Sequence, residues 1–109
     1  MIKFKCLVNG TISRSARDTV ISGLAEIYRE HFGLHSEDLQ VEFTEVVPGM
    51  WFTGGKPSSA SMVLGSVPAD TTQRARVQVM DEIARMFSKA TGATYHDVMV
   101  VAADPRASD

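Results

Sequence analysis

Residues 41–57 read VEFTEVVPGMWFTGGKP, and this stretch separates two similar halves of the chain. When the sequence is shifted along itself by 59 positions without a gap, many residues of the first half fall on identical residues of the second. The identical pairs include Val8 and Val67, Ala16 and Ala75, Arg17 and Arg76, Val20 and Val79, Ala25 and Ala84, Gly33 and Gly92, Asp38 and Asp97, and Val41 and Val100. A period seen twice indicates a duplicated unit with pseudo-twofold symmetry, since a solenoid needs at least three repeats.

The size and charge of the chain limit its class. Its 109 residues are a common size for one domain, so we predict a single domain over residues 1–109. Within it, pseudo-repeats at about 1–46 and 60–105 are joined by a hinge, which lies in the stretch 41–57. The net charge of −2 and the pI of about 5.9 disfavour nucleic acid or an anionic membrane as a partner.

The single cysteine, Cys6, cannot form an internal disulfide, and Cys and His do not recur at the spacing of zinc ligands. We therefore expect a reduced compartment, no structural metal and no cofactor. The first residues are too few and too charged for a signal peptide, and no run of about 18 apolar residues occurs. These features predict a cytoplasmic protein, whose polar tail at 105–109 should fray or pack on a neighbouring subunit.

The first repeat has the pattern of strand, helix and strand. Apolar residues alternate with others from Ile2 to Val8, which predicts a strand with one face on the core. Ser13 is a good N-cap for a helix through about Phe32, and Gly33 is suited to end it in a left-handed conformation. Alternation resumes from Leu39 to Val46 and predicts the second strand.

The second repeat follows the same plan. A strand is predicted from Ala60 to Val67, a helix capped by Thr71 or Thr72 from Gln73 to Ala90, and a last strand from Val98 to Ala103. Two βαβ units of this kind predict an α+β fold with a four-stranded mixed sheet and two helices on one face. The other face would carry Leu7, Met62, Leu64 and Met99, and copies of the same chain are the simplest cover for it.

The residues around the hinge resemble a known family. Thr44-Glu45, Gly49 and Gly54-Gly55, between two βαβ units, are similar to the pattern of the tautomerase superfamily, in particular 4-oxalocrotonate tautomerase. Phe43 and Phe52 add a likeness to cis-3-chloroacrylic acid dehalogenase, and macrophage migration inhibitory factor shares the general plan. The resemblance extends over essentially the whole chain.

The resemblance implies a homotrimer whose three sheets face inward, with an N-terminal proline as the general base. Here that proline matches Ile2 or Met1, depending on one gap, and neither is proline. A bulky Ile2 should block removal of the initiator methionine, so we expect the terminus to be the primary amine of Met1. Other family positions also differ. The two arginines of 4-oxalocrotonate tautomerase match Ile12 and Gln40. The arginine pair of the dehalogenase falls at Pro68 and Thr71, so dehalogenation and hydration are poorly supported.

Several residues are candidates for a site, and each has a simpler alternative. Trp51 matches the family's pocket phenylalanine and could form the wall of a pocket, or only pack against a neighbouring subunit. Tyr28 matches a histidine of the dehalogenase, but it shares a helix face with Leu24 and Ile27, so a core phenol is the alternative to a proton donor.

The basic candidates lie near the predicted ends of elements. Arg74 and Arg76 begin the second helix, where they could hold a carboxylate together with free backbone N–H groups, or lie in solvent. Lys3 stands beside the terminus, where burial would make it a base or an imine-forming amine, and an exposed or interface lysine is the alternative.

The sequence thus predicts a tautomerase-fold protein that binds a small carboxylated keto or enol compound. Its keto–enol tautomerase activity should be weak, altered or absent, because the N-terminal proline is missing. Catalytic candidates are Met1, Lys3 and Tyr28, and substrate-binding candidates are Gln40, Trp51, Arg74 and Arg76. The alternative is a non-catalytic structural or partner-binding trimer.

Overall fold

The computed structural model describes residues 1–105. Its elements are β1 (Ile2–Asn9), α1 (Arg14–Phe32), a 3₁₀ turn (Ser36–Asp38), β2 (Leu39–Val46), β3 (Phe52–Thr53), β4 (Lys56–Pro57), β5 (Ser61–Ser66), α2 (Gln73–Thr91), a second 3₁₀ turn (Tyr95–Asp97) and β6 (Val98–Ala103). The helices, the 3₁₀ turns and the main strands of the second half each begin 59 residues after their counterparts in the first. The prediction for the tail falls mostly on residues 106–109, which lie outside the described part.

The main sheet has four strands in the order β2-β1-β5-β6. Each repeat forms a parallel pair, because β1 runs parallel to β2 and β5 runs parallel to β6. The two repeats meet at the centre, where β1 and β5 are antiparallel. The predicted α+β fold, a four-stranded mixed sheet with two helices, is confirmed.

Both helices begin and end with equivalent caps. The Ser13 hydroxyl accepts the Ala16 N–H at 3.1 Å, and the Thr72 hydroxyl, 59 residues later, accepts the Ala75 N–H at 3.1 Å. Each cap satisfies a backbone donor that has no partner in the first turn of a helix. Gly33 ends α1 in the left-handed conformation, with φ of 67°, as its sequence context predicted.

The core lies between the sheet and the helices. Its centre consists of helix residues that are fully buried together with the inward side chains of β1 and β5. Phe4 on β1 leans over Gly65 on β5, where an added Cβ atom would lie 2.5 Å from two carbons of the Phe4 ring. Gly65 is the counterpart of Cys6, and the absence of a side chain at Gly65 leaves room for the Phe4 ring.

Among residues 1–105, no helix covers the opposite face of the sheet, which is partly apolar. Leu7 lies beside Met62, which lies beside Met99, so the three form one row across the sheet. Leu64 and Val101 form the next row, and Met99 and Val101 are 51% and 45% exposed. The residues predicted for this face therefore lie there.

The hinge contains a small hairpin that the sequence pattern did not predict. β3 and β4 pair antiparallel around Gly54-Gly55, whose φ angles of 61° and 79° suit glycine. Its apolar side chains point to solvent, with Phe52 58% and Met50 72% exposed. Within residues 1–105, no helix is long and apolar enough to cross a membrane.

Candidate functional site

The strand directions place Met1 and the beginning of α2 at the same end of the strands. We call each end of the strands an edge of the sheet, which differs from an outer strand. Because β5 runs antiparallel to β1, the end of β5 lies beside the start of β1, and the parallel strand β6 ends there too. The turn after β5 then leads into α2 at this edge. The edge, which we call the Met1 edge, therefore brings the terminus, two strand ends and a helix N-terminus together.

The Arg76 side chain links the start of α2 to the last strand, β6, by a hydrogen bond. Its Nη1 donates to the Ala102 carbonyl at 3.3 Å, while Nε and Nη2 donate to the Gln73 side-chain oxygen at 3.2 and 2.6 Å. Three of the five N–H donors of a guanidinium are thereby used, and two remain for a ligand. Arg74, in the same first turn, is exposed to solvent.

Lys3 and Gln40 are neighbours on the open face of the sheet. The parallel register of β1 and β2 pairs Lys3 with Gln40, one residue beyond the pair of Ile2 and Leu39. Both side chains are exposed. Two of the predicted residues thus lie side by side near the Met1 edge, on the face that carries the apolar rows.

Tyr28 also lies near this edge, but inside the core. Its side chain is fully buried, and its hydroxyl donates to the Ser66 carbonyl at 2.7 Å. The rings of Phe4 and Phe32 pack edge-on against it, each with a centroid distance of 5.0 Å. Burial raises the pKa of the Tyr28 phenol well above its ordinary value of 10.0. The core-phenol alternative describes this environment, and the phenol has no access to solvent in the described chain.

Trp51 lies at the opposite edge of the sheet. It follows the end of β2, and its carbonyl accepts the Ser58 N–H at 2.7 Å, while the Asn9 side chain donates to the Ser58 carbonyl. Asn9 ends β1, which has eight residues, so roughly 25 Å of strand separates Trp51 from Met1. One chain therefore does not bring these two predicted residues together.

Glu45, part of the family pattern, has a structural role that the sequence did not reveal. Its carboxylate accepts the Ile12 N–H at 2.7 Å, which ties the end of β2 to the loop that leads into α1. The two residues are 33 positions apart, so only the fold brings them together. The carboxylate thereby satisfies a backbone donor in the loop before the helix.

Two polar clusters lie on the helical side of the molecule. His31 Nε2 and Glu82 Oε2 are 2.8 Å apart and link α1 with α2. On α2, Asp81 accepts from Tyr95 at 2.6 Å and from Arg85 at 2.9 Å, and these hydrogen bonds hold the pKa of its carboxyl below the ordinary value. Among the residues that the structure describes, no three His, Cys, Asp or Glu side chains are grouped to hold a metal ion.

No protein-family model matches the chain, and no curated protein matches it. Several solved structures do match the chain. Native Ps01740 is 26% identical, with a TM-score of 0.86 over 94% of this chain and 92% of that one. The Q0 fused 4-OT, a wild-type symmetric trimer, is 14% identical, with a TM-score of 0.84 over 94% and 84%.

A third structure, N1, is a member of the cis-3-chloroacrylic acid dehalogenase family. It is 14% identical, with a TM-score of 0.84 over 93% of this chain and 73% of that one. At this identity the likeness to N1 and to the fused 4-OT establishes the fold. The chain has the tautomerase-superfamily fold, and the resemblance noted from the hinge residues is confirmed at that level.

Proposed function

We propose that this protein binds a small carboxylated keto or enol compound at the Met1 edge, in a site shared between subunits of a homotrimer. The observation that carries the proposal is that Met1, Lys3 and the first turn of α2 all lie at the same end of the strands, with Lys3 on the open face of the sheet and α2 on the helical face. Its tautomerase activity is weak, altered or absent, because position 2 is Ile rather than proline. A cytoplasmic location stays a prediction of the sequence.

The basic groups at this edge, which lies near the acidic Asp70 and Asp104, are suited to hold an anionic ligand. Arg74 offers an exposed guanidinium, and the first backbone N–H groups of α2 add partial positive charge at the same place. Arg76 keeps two donors, and its contacts with Gln73 and Ala102 hold it in position. A planar carboxylate is the group that such a guanidinium binds best. We therefore propose that Arg74 binds the ligand, and that Arg76 both binds the ligand and holds the start of α2 in position.

The position of Trp51 supports a shared site. Trp51 is too far from Met1 to contact a small ligand there within one chain, but an inward-facing trimer would bring the hinge of one subunit to the Met1 edge of the next. The apolar rows of the open face and the exposed hairpin provide surface for such contacts. Gln40 and Lys3 lie on that face, so the assembly would enclose them.

The chemistry available there is general acid–base transfer. As the base, the Met1 amine accepts the proton of the enol O–H. It returns a proton to the other carbon of the enol C=C bond, which gives the keto form. The retained methionine displaces this nitrogen from the place of a proline nitrogen, and a misplacement of about 1 Å can cost about a hundredfold in rate. Tyr28 is given no part in the transfer, because it is buried.

The variant Ile2→Pro tests the catalytic part of the proposal. It should permit removal of Met1 and expose a proline amine, so tautomerisation of a phenylenolpyruvate-type substrate should rise at least several-fold. Intact mass must first confirm the processed terminus, and sedimentation must show a folded trimer. A processed trimer that stays at background would contradict the enzymatic reading and favour a non-catalytic trimer.

Ligand binding is tested separately with a pair of arginine variants. Arg74→Ala should weaken binding of a 2-oxo carboxylate about tenfold, because it removes a charge-assisted contact. Arg17→Ala is the matched control, since Arg17 is exposed in the first turn of α1, far from the Met1 edge. Equal affinities for both variants would remove Arg74 from the site, and a monomer in sedimentation would remove the shared pocket.

A further inference from the structure

A polar cleft of about 350 Å³ lies at the edge of the sheet opposite Met1. It is bounded by the end of β1, the start of β5 and the segment that follows α2, including Asn9, Ser61, Thr91, Ala93 and Asp97. Its volume is in the range that accepts a small molecule. None of the residues that line it is basic, so it differs in charge from the Met1 edge.

The duplication explains why this edge is hollow. The counterparts of Ser61, Thr91 and Ala93, 59 positions earlier, are Ile2, Phe32 and Leu34. All three of those residues pack against the core at the Met1 edge. Small residues replace all three large ones in the second repeat, so the space that side chains fill at one edge is open at the other.

The cleft also contains hydrogen-bonding groups that the protein does not use. Ser61 is only 4% exposed, and its oxygen accepts the Asn9 N–H at 3.2 Å, but no acceptor for its hydroxyl hydrogen is found among residues 1–105. A hydroxyl that accepts one hydrogen bond still has a hydrogen to donate, so water or a ligand with an acceptor fits beside it.

Asp97 shows the same difference between the repeats. Its counterpart Asp38 accepts the His35 N–H at 2.9 Å and closes the 3₁₀ turn. The Asp97 carboxylate makes no such bond, and within the described residues it has neither a hydrogen-bond donor nor a cation as its partner, although Asp97 lines the cleft. A lone carboxylate among hydroxyl and amide groups attracts a cation and repels an anion.

We infer that this cleft binds a small organic cation that carries an ammonium group and a hydroxyl or ether oxygen, such as an amino alcohol. The ammonium would pair with Asp97, and the oxygen would accept the free hydroxyl hydrogen of Ser61. The site goes beyond the function proposed above, because it has the opposite charge preference and contains none of the residues at the Met1 edge.

Nuclear magnetic resonance titration of the full chain tests the inference with three probes of similar size. 2-Aminoethanol should shift the amide signals of the segments 8–11, 59–61 and 91–97 with saturable binding. Ethylene glycol, which is neutral, should bind at least tenfold more weakly, and glycolate, which is anionic, should not shift these signals. Equal shifts from all three probes would overturn the assignment of the carboxylate.

Three variants locate the site. Asp97→Asn should weaken 2-aminoethanol binding at least tenfold, while Asp38→Asn, the matched control at the counterpart position, should leave it unchanged. Ala93→Leu restores the larger residue of the first repeat and should abolish binding by filling the cleft. Full binding by a folded Ala93→Leu protein, or equal losses in the two aspartate variants, would refute the site. If Ala93→Leu does not fold, the aspartate pair still decides.

Discussion

Replacing Tyr28 with Phe should lower the free energy of unfolding by about 1–2 kcal/mol. The change keeps the ring, which packs between Phe4 and Phe32, and removes only the hydroxyl that donates to the Ser66 carbonyl at 2.7 Å. An acceptor left without its donor costs about 1–3 kcal/mol when buried, and the lower part of this range applies because the bond to Ser66 is part-buried. For a chain of 109 residues this corresponds to a fall in Tm of roughly 4–9 °C.

The second repeat supplies a precedent for this variant. The counterpart of Tyr28 is Phe87, which is also fully buried and carries no hydroxyl. A phenylalanine is therefore accommodated at the equivalent place in the same fold, and the variant should remain folded. The loss should come from the Ser66 carbonyl and not from altered packing.

Thermal and denaturant unfolding of Tyr28→Phe measure this effect, with Tyr95→Phe as the control. The Tyr95 hydroxyl donates to Asp81 at the surface, so its removal should cost less than about 0.5 kcal/mol. Any tautomerase activity per folded molecule should be unchanged in Tyr28→Phe. Unchanged stability together with a large loss of activity would refute the structural role and restore Tyr28 as a proton donor.

Three further predictions concern the core and the loops. Gly65→Ala should destabilise the fold by about 1–3 kcal/mol, because its Cβ would lie 2.5 Å from the Phe4 ring, and adding Phe4→Leu should recover part of this loss in denaturant unfolding. Burial raises the pKa of the Cys6 thiol from 9.0 to about 12. The stability that the neutral thiol contributes to the folded state is therefore fully present below pH 9 and is lost as the pH rises towards 12. Between pH 8.5 and 10 the free energy of unfolding of the wild type should therefore fall by about 1 kcal/mol more than that of Cys6→Ala. Parallel plots of unfolding free energy against pH for the two proteins would contradict this. Glu45→Ala should cost about 1 kcal/mol in urea unfolding by releasing the Ile12 N–H, and no change would show that solvent replaces the bond.

The main elements could be predicted because their signals are local. Ser13 and Gly33 mark the two ends of α1 through their own backbone and side-chain chemistry, and both act there as predicted. Alternation placed β2 at Leu39–Val46, where the structure has it. The second repeat then followed from the first, since its elements lie 59 positions later.

The hinge hairpin was missed although it had a signal. Gly54-Gly55 between two short extended pairs is the sequence of a two-residue hairpin loop, and both glycines have positive φ. Two-residue strands are too short to show alternation, so the pattern of apolar residues gave no indication of them.

The arrangement of the site depended on contacts that a sequence does not encode locally. Arg76 reaches the carbonyl of Ala102 across 26 residues, and His31 pairs with Glu82 across 51. The separation of Trp51 from Met1 followed only from the strand registers, which place the two residues at opposite edges. The sequence predicted these residues as candidates, but it did not predict which of them lie at the same edge of the sheet.

The comparison of the two repeats shows where stability alone does not account for the structure. At the centre of the helices the counterparts Val20 and Val79, and Tyr28 and Phe87, are all fully buried, so packing was kept on both sides. At the sheet edge beside Ser61 large residues are absent, and replacing a large buried side chain by a small one costs up to about 5 kcal/mol. The Ser61 hydroxyl at that edge accepts the Asn9 N–H, and no acceptor for its hydrogen is found among residues 1–105. The two edges therefore differ, with Arg74 and Arg76 at the edge that holds Met1 and Asp97 in the cleft that also contains Ser61, which is the expected result if the duplicated ends select different ligands.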